Sequence, residues 1–108
     1  MPDRAMYVIL TSRPGRFRTE AVDGLRPVEA WDYLFGGRCK AHFVIAALER
    51  ETKLRIVDET PPPVTNLVPT KFLERFPSVE AARGELQGLT RFGSVRAELA
   101  PAPLEPPA

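Results

Sequence analysis

Hydrophobic and polar positions divide this chain into two hairpin-then-helix units. Residues 6–11 (MYVILT) and 16–22 (RFRTEAV) flank Ser12-Arg13-Pro14-Gly15, a Pro-Gly turn between two β-rich runs. Residues 41–48 (AHFVIAAL) and 53–58 (KLRIVD) form a second such pair around a charged turn. A half-buried strand alternates apolar and polar residues. The 41–48 run is apolar at nearly every position, so something covers both of its sides.

The spacing predicts a helix after each pair. The first starts at Pro27, whose fixed backbone angle suits a first helical position. It carries Val28, Trp31, Leu34 and Phe35 as a stripe and ends in a left-handed cap at Gly36 or Gly37. Trp31 reads as a core aromatic of that helix. Pro61, Pro62 and Pro63 take the chain out of the sheet, and residues 71–76 read as a short helical turn stopped by Pro77. Ser78 is a good N-cap for a second helix, along which Val79, Ala82, Leu86 and Leu89 share one face. Gly84 and Gly88 each weaken it by about 1 kcal/mol relative to Ala, so packing must sustain it. Gly93 turns the chain into a last strand over 94–99. Residues 100–108 (APAPLEPPA) are too rich in proline to pack and are expected to be a disordered tail behind a single domain spanning 1–99.

These elements predict an α+β fold, with an antiparallel sheet of four to five strands and helices on one face. The first and third strands are continuously apolar and the second and fourth alternate, which favours the order 2-1-3-4. The alternative is a ferredoxin-like βαββαβ core with an extra strand, which would leave 41–48 at an edge. Strand parity then assigns Met6, Val8, Leu10, Phe17, Phe43, Ile45, Leu54 and Ile56 to the face under the helices. Tyr7, Ile9, Val44 and Leu48 fall on the opposite face, with Arg16, Arg18, Glu20, His42 and Arg55 interspersed or at its rim. An apolar stripe rimmed by charge has the composition of an interaction surface. The competing expectation is that residues 61–76 fold back and cover it internally.

Composition narrows the function classes. The 108 residues suffice for one core, and a formal net charge of +1 with interspersed signs gives no concentrated basic surface for nucleic acid or anionic lipid. MYVILT is loosely similar to the first-strand motif of RNA-recognition domains. The strand that would pair centrally beside it, 53–58, has no aromatic residue, so the likeness fails. The longest apolar run is far below the roughly 20 residues of a membrane span, and the run near the N-terminus is too short for a signal peptide. With one cysteine, no intrachain disulfide is possible, and a soluble, cytoplasmic protein is the expectation.

Candidate chemistry is sparse. Cys39 lies between Arg38 and Lys40 and three residues before His42, and neighbouring cations favour a thiolate. A preceding helix C-terminus would oppose that, and on a regular strand positions 39 and 42 face opposite ways. A structural cysteine is the better reading. One cysteine and one histidine fit no zinc spacing, Asp58 and Glu59 diverge on a strand, and Gly36-Gly37 does not precede a helix as a phosphate cradle would. No cofactor or metal is implied. The expected function is that of a small accessory protein that self-associates or docks a larger protein through Tyr7, Ile9, Arg16, Arg18, His42, Val44, Leu48 and Arg55. The alternative is a small-molecule or regulatory domain with a pocket between the sheet and residues 61–76. A small enzyme is the third and least favoured reading.

Overall fold

In the computed structural model, which describes residues 6–91 and 97–104, two antiparallel sheets and one helix stack in three layers. In chain order the strands are β1 (Met6–Ser12), β2 (Phe17–Glu20), β3 (Leu25–Phe35), β4 (Arg38–Leu48), β5 (Lys53–Asp58) and β6 (Thr65–Pro69). A 3-10 turn over Thr70–Phe72, helix α1 (Val79–Arg91) and β7 (Ala97–Ala102) follow. The central sheet has the order β1-β4-β3-β7 and the second sheet the order β2-β5-β6. On one side of the central sheet, Phe43, Ile45 and Phe76 pack with Ala82 and Leu86 of α1. On the other, Val8, Leu10, Leu25 and Ala46 pack against Leu54, with Ile56 and Val68 alongside. Both sides of the apolar strand β4 are therefore covered from within the chain, which is why its sequence does not alternate.

The expected strand order is right at its centre and wrong at its edges. β1 does pair with the strand carrying AHFVIAAL, antiparallel, with Ile9 opposite Ile45. The two alternating strands do not flank them. β2 and β5 pair with each other, with Phe17 opposite Asp58, and β6 joins on the far side of β5. Strands with a single apolar face are best served by forming a sheet that lays that face on a core. Neither the 2-1-3-4 order nor the ferredoxin-like alternative describes this arrangement.

The first expected helix is strand β3. Its apparent helical stripe arises from a bulge that leaves Val28 unpaired between Pro27 and Glu29; a second register shift, opposite Tyr33 and Leu34, puts its extra residue, Lys40, on β4. The first bulge breaks the two-residue period of β3 and lets a 3.6-residue repeat fit by coincidence. Gly36 and Gly37, with φ of +59° and +81°, make the two-residue turn of a β3–β4 hairpin instead of a helix cap. Pro27 is tolerated because β7 pairs only with residues 30–35 of β3, so at Pro27 the strand has a neighbour on one side only.

α1 forms where the spacing places it. The Ser78 hydroxyl accepts the Ala81 amide at 3.0 Å, and Ala82 and Leu86 are fully buried. Leu89, the last member of that face, remains 53% exposed. β7 runs through Pro101 to Ala102, so the strand extends past the Leu99 boundary into the stretch expected to be a tail. The turn at Gly93, the start of that strand at Ser94, and residues 105–108 lie outside the described residues.

Candidate functional site

The second face of the central sheet, where the sequence placed a docking surface, is interior. Antiparallel pairing sets Val8 opposite Ala46 and Leu10 opposite Val44, so odd positions of β1 share a side with odd positions of β4. The expected patch therefore divides. Tyr7 and Ile9 lie on the helix side with Phe43 and Ile45. Val44 and Leu48 lie on the other side, against the second sheet. The grouping of Phe43 and Ile45 with Val8 and Leu10 fails for the same reason. The segment 61–76 covers this face only in part, through Val68 on β6 and Leu73 after it.

The charged members of the expected set go elsewhere. Arg18 and Arg55 flank Glu20 on neighbouring strands of the second sheet, at 2.9 Å and 3.8 Å. Arg18 also reaches Glu59 at 3.6 Å. Arg16 is exposed in the β1–β2 turn, and its carbonyl accepts the Glu59 amide at 2.9 Å. These are solvated ion pairs of little energetic consequence.

His42 has a partner that the sequence did not reveal. Its Nδ1 lies 2.6 Å from an Asp32 carboxylate oxygen, across the β3–β4 pair. The second bulge also overturns the parity argument about Cys39. Tyr33 faces Ala41 and Leu34 faces Cys39, so Lys40 is the extra residue. Cys39 is thereby brought to the same side as Asp32 and His42. Burial raises the Cys39 thiol above its ordinary pKa, and the nearby Asp32 charge raises it further. The thiol donates to the Ala41 carbonyl at 3.3 Å. Asp32 can hold the imidazole in one orientation, but the thiol beside it is kept protonated, which is the opposite of what a nucleophile needs. Among the described residues, no group of three His, Cys, Asp or Glu side chains is arranged to hold a metal ion, and no helix is long and apolar enough to cross a membrane.

A shallow, open cleft of about 160 Å³ lies between α1 and the β1–β4 side of the central sheet. Ile9, Thr11 and Phe43 form its floor, Glu85 and Leu89 of α1 one wall, and Glu74 and Phe76 the other. Its walls are fixed from several directions. Tyr7 and Phe76 exchange two backbone hydrogen bonds of 2.8 Å, which pins the chain to the free edge of β1. Upstream, fully buried Thr70 donates its hydroxyl to Glu51 at 2.7 Å and accepts the Thr52 amide at 3.0 Å. That hydroxyl, with Arg75, holds the Glu51 carboxyl below its ordinary pKa. α1 is tied to β3 by Arg83, which donates to both oxygens of Glu29 at 2.8 and 2.7 Å. Glu74 and Glu85 are exposed and, among the described residues, make no ion pair or hydrogen bond. The cleft thus joins a mostly apolar floor to two carboxylates that have no ion-pair partner among the described residues.

Only Ile9 of these lining residues belongs to the expected set. Phe76 sits in a stretch with no period, between charged residues and a proline, and its role depends on the long-range bridge to Tyr7. Leu89 carried the one available signal, as the last apolar residue on a helix face that outruns its sheet.

Fold and site together define a three-layer β/β/α domain with an acid-rimmed apolar cleft. No known protein family, characterised protein or solved structure matches the chain.

Proposed function

We propose that this is a protein-interaction domain that captures one apolar side chain, flanked by a cation, in the cleft between α1 and the central sheet. The observation that supports it is the cleft itself, with Ile9, Phe43, Phe76 and Leu89 beside the exposed carboxylates of Glu74 and Glu85. Size decides the class of ligand. Pockets for whole cofactors or drug-sized molecules run from about 300 to 1,000 Å³, whereas an apolar cavity of about 150 Å³ takes up a single benzene. At about 160 Å³ the cleft suits one aromatic ring or branched aliphatic group. An anchor of that size is what one protein inserts into another. The two carboxylates favour a positive charge beside the ring and disfavour a negative one.

NMR titration with phenethylammonium and, separately, phenylacetate tests this. The ammonium probe should shift the resonances of Ile9, Thr11, Phe43 and Leu89 and the carboxylate probe should not. Glu74→Gln with Glu85→Gln should remove the difference between the probes. Equal binding of both probes by the unaltered protein, or shifts confined to other residues, would contradict the reading.

A further inference from the structure

We propose that the group entering the cleft is Phe72 of a second copy of this chain, in a two-fold dimer where each copy donates its ring to the other. The proposal rests on the cleft reading above and supplies its occupant. Phe72 is 72% exposed, the most exposed large apolar side chain among the described residues. Single exposed apolar residues are common and carry no message by themselves. Here the neighbouring cation matters. The Lys71 ammonium sits 5.4 Å from the centroid of the Phe72 ring, so the chain presents an aromatic ring with a positive charge held against it. The cleft presents the complement, an apolar floor sized for one ring with the carboxylates of Glu74 and Glu85 at its sides. Thr70, anchored to Glu51 and Thr52, begins the 3-10 turn that ends at Phe72, so the projecting ring sits on a secured segment.

Knob and hole also lie on the same stretch of chain, since Glu74 and Phe76 follow Phe72 directly. That proximity suits an isologous contact, in which knob and hole belong to one patch that meets its own copy across a two-fold axis. A heterologous arrangement would place them on distant surfaces and extend into filaments. Each contact would remove one ring and the exposed part of Leu89 from water and would set one ammonium between two carboxylates.

Sedimentation of the full chain over a range of concentrations provides the test. The unaltered protein should show a monomer–dimer equilibrium, and Phe72→Ser should weaken it by about tenfold or more. Leu89→Glu should do the same, from the cleft side. Both residues are exposed, and far-ultraviolet circular dichroism should confirm that each variant keeps its fold. A mixture of Phe72→Ser and Leu89→Glu chains should associate more strongly than either variant alone, because one intact ring then meets one intact cleft. Lys71→Glu should weaken association, and Glu74→Lys with Glu85→Lys should restore it in a mixture with Lys71→Glu chains. A chain that stays monomeric, or a dimer indifferent to Phe72→Ser, would overturn the proposal. If that monomer still binds phenethylammonium in the cleft, only self-association fails. If it binds neither, the cleft reading fails with it.

Discussion

Arg83 on α1 and Glu29 on β3 meet in two side-by-side hydrogen bonds of 2.8 and 2.7 Å, though 54 residues separate them. The same carboxylate accepts the Trp31 indole N–H at 2.5 Å. Three elements of the helix side are thereby set relative to one another: the bulge that turns Glu29 toward the helix, the tryptophan beside it, and the first turns of α1. Bidentate geometry makes this pair directional. Its energetic contribution stays modest, because both side chains retain contact with water.

Acid should weaken this tie in a defined direction. The hydrogen bonds from Arg83 hold the Glu29 carboxyl below its ordinary pKa. A carboxyl depressed in the folded state contributes stability above its unfolded pKa and loses it as pH falls through the folded value. Arg83→Gln should therefore lower the urea midpoint slightly near neutrality and flatten its decline on acidification. Midpoints measured from pH 7 downward check this. Parallel curves for the two proteins would show that the pair is not coupled to folding.

The double coverage of β4 makes Val44 a partly buried residue packed between the two sheets. Val44→Glu places a carboxylate against the apolar layer between the sheets and should destabilise the protein strongly. On the other side Phe43, 7% exposed beneath α1, should cost about 3–5 kcal/mol when cut to alanine. That is a large share of the stability of a domain of this size. Circular dichroism and chemical denaturation measure both. A folded Val44→Glu protein of nearly unchanged stability would mean that the second sheet does not close over this face.

Much of this architecture was legible where a local rule had no rival. The apolarity of AHFVIAAL required cover on both sides, its pairing with β1 followed from that, and Ser78 marked the start of α1. The failures share a cause. A bulge at Val28 breaks the two-residue period within Leu25–Phe35 and another at Lys40 breaks it early in β4, and no rule of spacing recovers a strand whose period is interrupted. The stronger clue there was chemical. Val28, Trp31, Tyr33 and Phe35 are strand formers, and Gly36-Gly37 is a two-residue hairpin turn, which a helix cap does not need. The candidate cleft was hidden more deeply. Its floor and walls come from β1, β4, α1 and the segment around Phe76, and only the packed chain brings them together.

Cys39 should react slowly despite its exposure. Partial desolvation of the sulfur and the Asp32 charge both raise its pKa, which lowers the thiolate fraction near neutral pH. Alkylation should be slower than for a free cysteine peptide, and Asp32→Asn should accelerate it by removing the charge contribution. Stopped-flow or mass-spectrometric rates decide the matter. Rapid alkylation of the unaltered protein, or no acceleration in the variant, would show that the thiol does not sense Asp32.

The position of a bound ring within the fold tests the account most directly. With methyl-labelled protein and phenethylammonium, intermolecular nuclear Overhauser effects should connect the phenyl protons to the methyl groups of Ile9 and Leu89. None should reach Val44 or Leu48, which face the second sheet. Contacts to Val44 or Leu48, or contacts found only at exposed Val64 and Leu67, would contradict both the closure of the sandwich and the cleft as the place where this protein binds.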